Sequence, residues 1–329
     1  MSEDRPEPVA AVRETAEAIA AMDVRGAATI ADAAAEALAV QARDSVAETP
    51  ATFRQDMRTA AKLLYETRPT AVSLPNALRY VLRGMDGETV GALRESTIAR
   101  VERFQTELTR AQEQLGRIGA NRLRDGDVVL THCHSTDALA CIERAVADGK
   151  RIEAVVKETR PRNQGRITAR QLRSWDVPVT YVVDSAAARC LGEVDHVLVG
   201  ADSIVADGSV VNKIGTRGLA VNAREQGVPV VVAAQTIKLH PDTMTGHTVA
   251  IERRAETEVL SDEARREVER GSSDESLVVS NPAFDVTPPR YVDAIVTERG
   301  QFPPESIVVL MRELFGEPTT EPWEPTAGV

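Results

Sequence analysis

The segment Thr131-His132-Cys133-His134-Ser135 places a thiol between two imidazoles, all of them groups that bind protons or metals. Two readings of Cys133 stand side by side. Most lone cysteines are small buried hydrophobes. A cysteine leading into a helix N-terminus, as Cys133 leads into the helical pattern beginning near residue 136, instead meets a positive field that lowers its pKa and makes it a base near neutral pH. The flanking His132 and His134 raise a metal reading. Strand alternation turns both histidines to one side and the cysteine to the other, so the three cannot chelate together while the strand holds. No second ligand pair with zinc spacing occurs, and no metal is expected.

Asp202 follows the apolar run HVLVGA, which sets a carboxylate at the mouth of a buried strand. It can cap the next element, or it can be an acid held neutral in an apolar pocket. The cations are informative by their scarcity. Lysine and arginine together number 39, and five are lysines, at positions 62, 150, 157, 213 and 238, leaving 34 arginines. A lysine retained in so Arg-rich a chain points to a task that a guanidinium cannot perform. Lys213 and Lys238 both fall in predicted loops after core strands, where a compact ammonium suits phosphate. Arg25 and Arg68 lie in two Gly- or Pro-marked breaks, each beside a possible helix start. Arginine with free backbone N–H groups makes a phosphate cradle, and a solvated surface charge is the alternative. No GxGxxG follows the first strand and no GxxxxGK[ST] occurs, so dinucleotide and Walker-type sites are not expected.

The elements that must position these groups are legible from periodicity. Residues 1 to about 120 carry Ala-rich amphipathic stretches near 9–21, 27–45, 54–66 and 91–118, interrupted by RGAATI (25–30) and TRPTAVSLPN (67–76). From about 125 short β-branched runs appear: DVVLTHC (127–133), IEAVVKE (152–158), PVTYVVD (178–184), DHVLVGAD (195–202), PVVVAAQ (229–235) and YVDAIVTE (291–298). Helical stretches near 136–148, 168–175, 185–192 and 214–226 separate most of them. Apolar strands alternating with helices predict a parallel sheet covered on both faces. The expectation is an α/β protein with a helical N-terminal domain over 1–120, followed by a doubly wound, Rossmann-like catalytic domain over 121–329. Ligands of such sheets bind beyond the carboxyl ends of the strands, where the reactive residues fall. The segment 262–275 and the tail after about 316 read as polar surface.

Composition bounds the rest. A chain of 329 residues with 43% hydrophobic residues can bury a sizeable core. No apolar run approaches the roughly 18 residues that cross a bilayer, and the acidic start MSEDRPEPVAAV is unlike a secretory signal. Three cysteines without a CxxC pair fit a reducing compartment. A cytoplasmic location is expected. A net charge of −11 disfavours non-specific attraction to nucleic acid or anionic membranes. The acidic, Lys-poor balance fits either a halophilic source or a GC-rich genome.

Taken together, RGAATI, TRPTAVSLPNALRYV (67–81), THCHS (131–135), ETRPRNQGRITA (158–169), YVVDSAA (181–187), GADSI (200–204), NKIGT (212–216), HPDTM (240–244) and NPAFDVTPPRYVD (281–293) are specific. Through them the chain resembles the archaeal ribose-1,5-bisphosphate isomerases, relatives of the methylthioribose-1-phosphate isomerases and of the regulatory subunits of translation initiation factor 2B. The resemblance implies a catalytic base at Cys133 and a proton donor at Asp202. It also implies phosphate or sugar contacts at Arg25, Gly26, Ala27, Ala28, Arg68, Asn212, Lys213 and Lys238. It further implies a homohexamer built as a trimer of dimers, stimulation by AMP, a place in AMP degradation, and no cofactor. In the implied reaction protonated Asp202 assists opening of the furanose, thiolate Cys133 removes the C2 proton beside the new aldehyde, and the enediolate is reprotonated at C1. A methylthioribose-1-phosphate isomerase and a non-catalytic translation-factor-like module are the competing readings.

Overall fold

The computed structural model describes residues 7–24, 26–270, 276–315 and 321–324. The chain forms two compact units, one of residues 1–111, 237–239 and 315–329, the other of 112–236 and 240–314.

The first unit is helical. Its helices are α1 (Ala10–Ala20), α2 (Ala27–Asp44), α3 (Pro50–Thr67), α4 (Ser73–Arg83) and the start of α5 (Val90–Ala120). Local signals place the ends. Thr49 accepts a hydrogen bond from the Thr52 amide at 3.2 Å and Pro50 takes the first helical position of α3, where its fixed φ costs no hydrogen bond. The break predicted over 67–76 is shorter than expected, because α4 begins inside it. Pro75 lies in the first turn of α4, whose amides have no intrahelical acceptor to lose. Ala31, Ala34, Ala35, Ala37, Ala39 and Ala42 of α2 are buried, and the helix packs against α1, α3 and α4. The core adds Ile19, Leu38, Phe53, Met57, Leu64, Leu74 and Leu78. The tail also departs from its polar reading. Trp323 is buried, its ring 4.9 Å from that of Tyr65, and Glu321 pairs with Arg79.

In the second unit the strands are β1 (Val128–Thr131), β2 (Glu153–Lys157), β3 (Val179–Val182), β4 (His196–Gly200), β5 (Ser203–Val205), β6 (Val210–Lys213), β7 (Val230–Ala233), a short β8 (Leu239–His240), β9 (Phe284–Thr287), β10 (Ala294–Thr297) and β11 (Gly300–Phe302). The helices are α6 (Thr136–Ala147), α7 (Gly165–Ser174), α8 (Ala187–Cys190), α9 (Thr216–Gln226), α10 (Asp262–Val268) and α11 (Ile307–Phe315). The main sheet runs β11-β10-β7-β4-β1-β2-β3, parallel except for β11. Its central strands are buried on both faces. Val129, Val156, Leu198 and Val231 join the core beneath α5, α6 and α7, while their neighbours Leu130, Val155, Val197 and Val232 are buried as well. The predicted mostly parallel α/β architecture is thus present.

The chain leaves β1 for β2 and β3 on one side, then crosses back to β4, β7 and β10 on the other. The switch point therefore lies between the neighbours β1 and β4, the place where open α/β sheets bind ligands. Periodicity did not predict the small antiparallel sheet in which β6 pairs with β5 and β9. Asp207-Gly208 turns the β5–β6 hairpin. Gly208 has φ +81° and a Cβ there would meet the Pro304 carbonyl, so glycine is required. Over 262–275, predicted as surface, α10 forms with no buried residue under a Ser261 cap; residues 271–275 lie outside the described set. Among the described residues no helix is long and apolar enough to cross a membrane.

Candidate active site

Cys133 lies two residues beyond β1, and Asp202 two residues beyond β4, so the switch point carries both. Because β1 ends at Thr131, His132 and Cys133 leave the pleat and alternation does not govern where they point. Cys133 has φ +71°, and its backbone is held on both sides. Its amide donates to Thr159 Oγ1 at 2.9 Å, and its carbonyl accepts from Thr168 Oγ1 at 2.8 Å. Ser135 caps α6 by accepting from the Ala138 amide at 3.2 Å. The side chain is buried, and burial pushes the thiol up to about 11. Lys213, the His134 amide and Arg254 pull the other way, while the Asp202 charge adds to the rise. The expectation of a thiol lowered to near neutrality by the helix start does not hold in the resting protein. Cys133 precedes the cap by two residues, and desolvation outweighs the opposing charges.

The element after Asp202 is the strand β5, not a helix, so the helix-capping reading of this aspartate falls. Its amide donates to the Val211 carbonyl at 2.9 Å, which sets Asp202 in the tight connection into the β5–β6 hairpin. Lys213 is the last residue of β6 and not part of a loop. Its ammonium donates to the Ala283 carbonyl at 3.1 Å and lies 4.4 Å from the Phe284 ring centroid. Burial lowers its pKa, against the pull of Asp202 and Cys133 toward the charged form. Asn212 is buried beside it and donates to Thr216 Oγ1 at 3.0 Å. Arg254, one arginine among 34 and without a sequence signal to mark it, is the further cation of this group. It acts on both Cys133 and Lys213, is held by Glu252 at 3.1 Å, and lies 5.7 Å from the Phe284 ring centroid. One acid, one thiol and two cations thus interact at the switch point.

The other candidates belong to the helical unit. Gly26 caps α2 with φ +90°, and Ala27 and Ala28 are its first two residues, at the end of a helix where amides lack intrahelical partners. Arg25 lies outside the described residues. Arg68 is the C-cap of α3 (φ −150°, ψ 71°) and does not sit at a helix start. Lys238 is buried at the end of the turn Thr236–Lys238. Asn76 of α4 donates at 2.8 Å to the carbonyls of both Ile237 and Leu239, clamping the backbone on either side of that lysine. Two polar strand-end residues prove to be structural. Gln235 bonds to the Asp137 carboxylate through both its amide and side chain, and the Thr236 amide bonds to Glu298. Among the described residues no group of three or more His, Cys, Asp or Glu side chains could hold a metal ion.

Residues 23–304 match the model of the Initiation factor 2 subunit family. A ribose 1,5-bisphosphate isomerase of Haloterrigena turkmenica is 72% identical over 326 residues, 98% of this chain and 100% of that one. The ribose 1,5-bisphosphate isomerase of Haloferax volcanii is 66% identical over 316 residues, 96% of each chain. Among solved structures, the 5-methylthioribose 1-phosphate isomerase of Pyrococcus horikoshii superposes with a TM-score of 0.75 at 34% identity, covering 92% of this chain and 88% of that one. Sequence and fold agree over nearly the full length, and the chain belongs to the Initiation factor 2 subunit family.

Proposed function

We propose that the protein is a cytoplasmic aldose–ketose isomerase converting ribose 1,5-bisphosphate to ribulose 1,5-bisphosphate. The observation that carries the reading is the 72% identity, end to end, with a relative named for that activity. The interacting group of Cys133, Asp202, Lys213 and Arg254 supplies an acid, a base and positive charge for a sugar carrying two phosphates.

Because Cys133 rests as a thiol beside the Asp202 charge, the reactive pair arises by moving one proton from sulfur to carboxylate, giving thiolate and neutral acid. Asp202 then protonates the ring oxygen as the bond from C1 to that oxygen breaks. The thiolate removes the C2 proton, and the C2–H electrons become the C1–C2 double bond. The phosphate stays on C1 throughout, so the intermediate is an enol and not the free aldehyde. Asp202 next takes the proton of the C2 hydroxyl as the ketone forms, and Cys133 returns its proton to C1. The pair ends as thiolate and neutral acid, and return of the one proton from carboxyl to sulfur restores the resting state. Each such general acid–base role is worth about 10²–10⁴-fold. Lys213 and Asn212 at the switch point, with Lys238, Arg68, Arg25 and the α2 start at Gly26, Ala27 and Ala28, are the proposed phosphate and sugar contacts. The reading extends to a homohexamer, stimulation by AMP and a place in AMP degradation, all implied by the family resemblance.

The test is direct assay of ribulose 1,5-bisphosphate formation by the purified protein, with and without AMP. Cys133→Ser and Asp202→Asn each abolish turnover while leaving substrate binding; near wild-type activity in either variant removes its assigned role. The second reading, favoured by the 34% identity with a 5-methylthioribose 1-phosphate isomerase, is tested in the same assay with that substrate.

A further inference from the structure

His132 and Thr159 have no part in the chemistry above, yet both are fully buried beside Cys133, at 1% and 0% exposure. Their hydrogen bonds fix the tautomer of the neutral ring. His132 Nε2 lies 2.8 Å from the Ile214 carbonyl, which can only accept, so Nε2 carries a hydrogen. In the neutral ring Nδ1 is then an acceptor, 3.2 Å from Thr159 Oγ1. That hydroxyl accepts from the Cys133 amide at 2.9 Å and shares its one hydrogen between Nδ1 and the Lys157 carbonyl, each at 3.2 Å. The result is a connected set, from Cys133 N–H through the Thr159 hydroxyl to His132 and the Lys157 carbonyl, and from the other ring nitrogen to the carbonyl beside Lys213. Hydrogen bonds aligned in this way strengthen one another in a dry interior.

The backbone shows what this chain restrains. Cys133 and Thr159 both adopt left-handed φ, +71° and +63°. For a β-branched threonine that is a strained conformation, kept where the surroundings over-determine it. The Asp184 carboxylate holds the Thr159 and Arg160 amides at 3.1 and 2.7 Å, and the Thr168 hydroxyl holds the Cys133 carbonyl. The charged groups facing His132 are Asp184, whose Oδ1 is 3.9 Å from Nδ1, and Lys157, whose ammonium is 3.7 Å from the same carboxylate oxygen.

We propose that His132 and Thr159 are positioning residues for Cys133, a neutral strut that fixes the thiol-bearing turn against the strand end carrying Lys213. What the fixed thiol accomplishes rests on the isomerase reading; the strut does not.

Thr159→Val keeps the shape and removes every hydrogen bond of the hydroxyl, and Thr159→Ser keeps them. The valine variant lowers kcat for ribose 1,5-bisphosphate about 10- to 100-fold, the cost of a reacting group displaced by about 1 Å, with KM within about threefold and the serine variant restored. Valine activity within about twofold of wild type overturns the proposal, as does a serine variant as poor as valine. Wild-type protein labelled with ¹⁵N-histidine gives a readout independent of variant folding. His132 should show the neutral tautomer protonated at Nε2 throughout pH 5.5 to 8, and an Nδ1–H tautomer or a midpoint near the ordinary histidine value also overturns it. If the wild type proves inactive on ribose 1,5-bisphosphate, the isomerase reading fails. The strut is then decided by the imidazole signal and by iodoacetamide labelling of Cys133 at pH 9. Labelling should speed up at least about threefold in Thr159→Val relative to Cys190, as the turn opens more often; an unchanged ratio refutes the strut.

Discussion

Burial of Cys133 makes its ionisation the most exposed consequence of this structure. The thiol rises from 9.0 to about 11, which at about 1.4 kcal/mol per unit adds about 3 kcal/mol to the cost of forming the thiolate. At pH 8 about one molecule in a thousand then carries the thiolate, roughly a hundredfold fewer than for an unperturbed thiol. The rate of alkylation of Cys133 by iodoacetamide, followed by mass spectrometry of its peptide, should climb about tenfold per pH unit from 7 to 10 without a plateau, because only the thiolate reacts. The perturbation is Lys213→Met, which deletes a cation that opposes the rise. An opposite charge of this kind typically moves a pKa by about one unit or more, about 1.4 kcal/mol per unit. The variant should therefore label about tenfold more slowly than wild type at any pH in that range. A wild-type plateau below pH 9.5, or a variant profile superimposable on wild type, would refute the balance of burial and charge argued for this site.

Acid should destabilise the fold through His132, whose pKa burial lowers, with Lys157 adding to the effect. The unfolded chain binds a proton that the folded one refuses, so this contribution is complete above the ordinary histidine value and is lost as pH falls below it. The loss is about 1.4 kcal/mol per pH unit, measurable as a falling urea midpoint between pH 6.5 and 5. Trp323→Ala should cost about 3 kcal/mol in the helical unit, since the ring is buried against Tyr65; a melting temperature unchanged within a degree would contradict that packing. With a net charge of −11, stability and activity should rise from 0.1 M toward molar KCl as the screening length shrinks from about 10 to about 3 Å. A flat response would assign the Arg-rich composition to the genome.

Much of the architecture was legible along the chain because burial writes itself into local patterns. Six β-branched runs separated by helical stretches predicted the parallel strands, since a strand covered on both faces must be apolar at every position. The β5–β6 hairpin escaped that logic. Its strands are short, and Asp207-Gly208 was the signal that could have revealed it. Helix α4 escaped as well, because proline signals a break in a helix interior yet is accommodated in a first turn. The types and rough placement of Cys133, Asp202 and Lys213 were visible in sequence, as residues at the ends of apolar runs in a chain with few lysines.

Tertiary structure alone decided how those residues behave. A pKa depends on solvent exclusion and on charges brought from distant segments, and neither is encoded near position 133. The strand order set Cys133 and Asp202 beyond neighbouring strands, the fold brought Arg254 and Lys213 to the thiol, and a buried interior turned an expected low thiol pKa into a high one. His132 and Thr159, 27 positions apart, met for the same reason. Sequence determines which groups can react, while packing determines their protonation and hold.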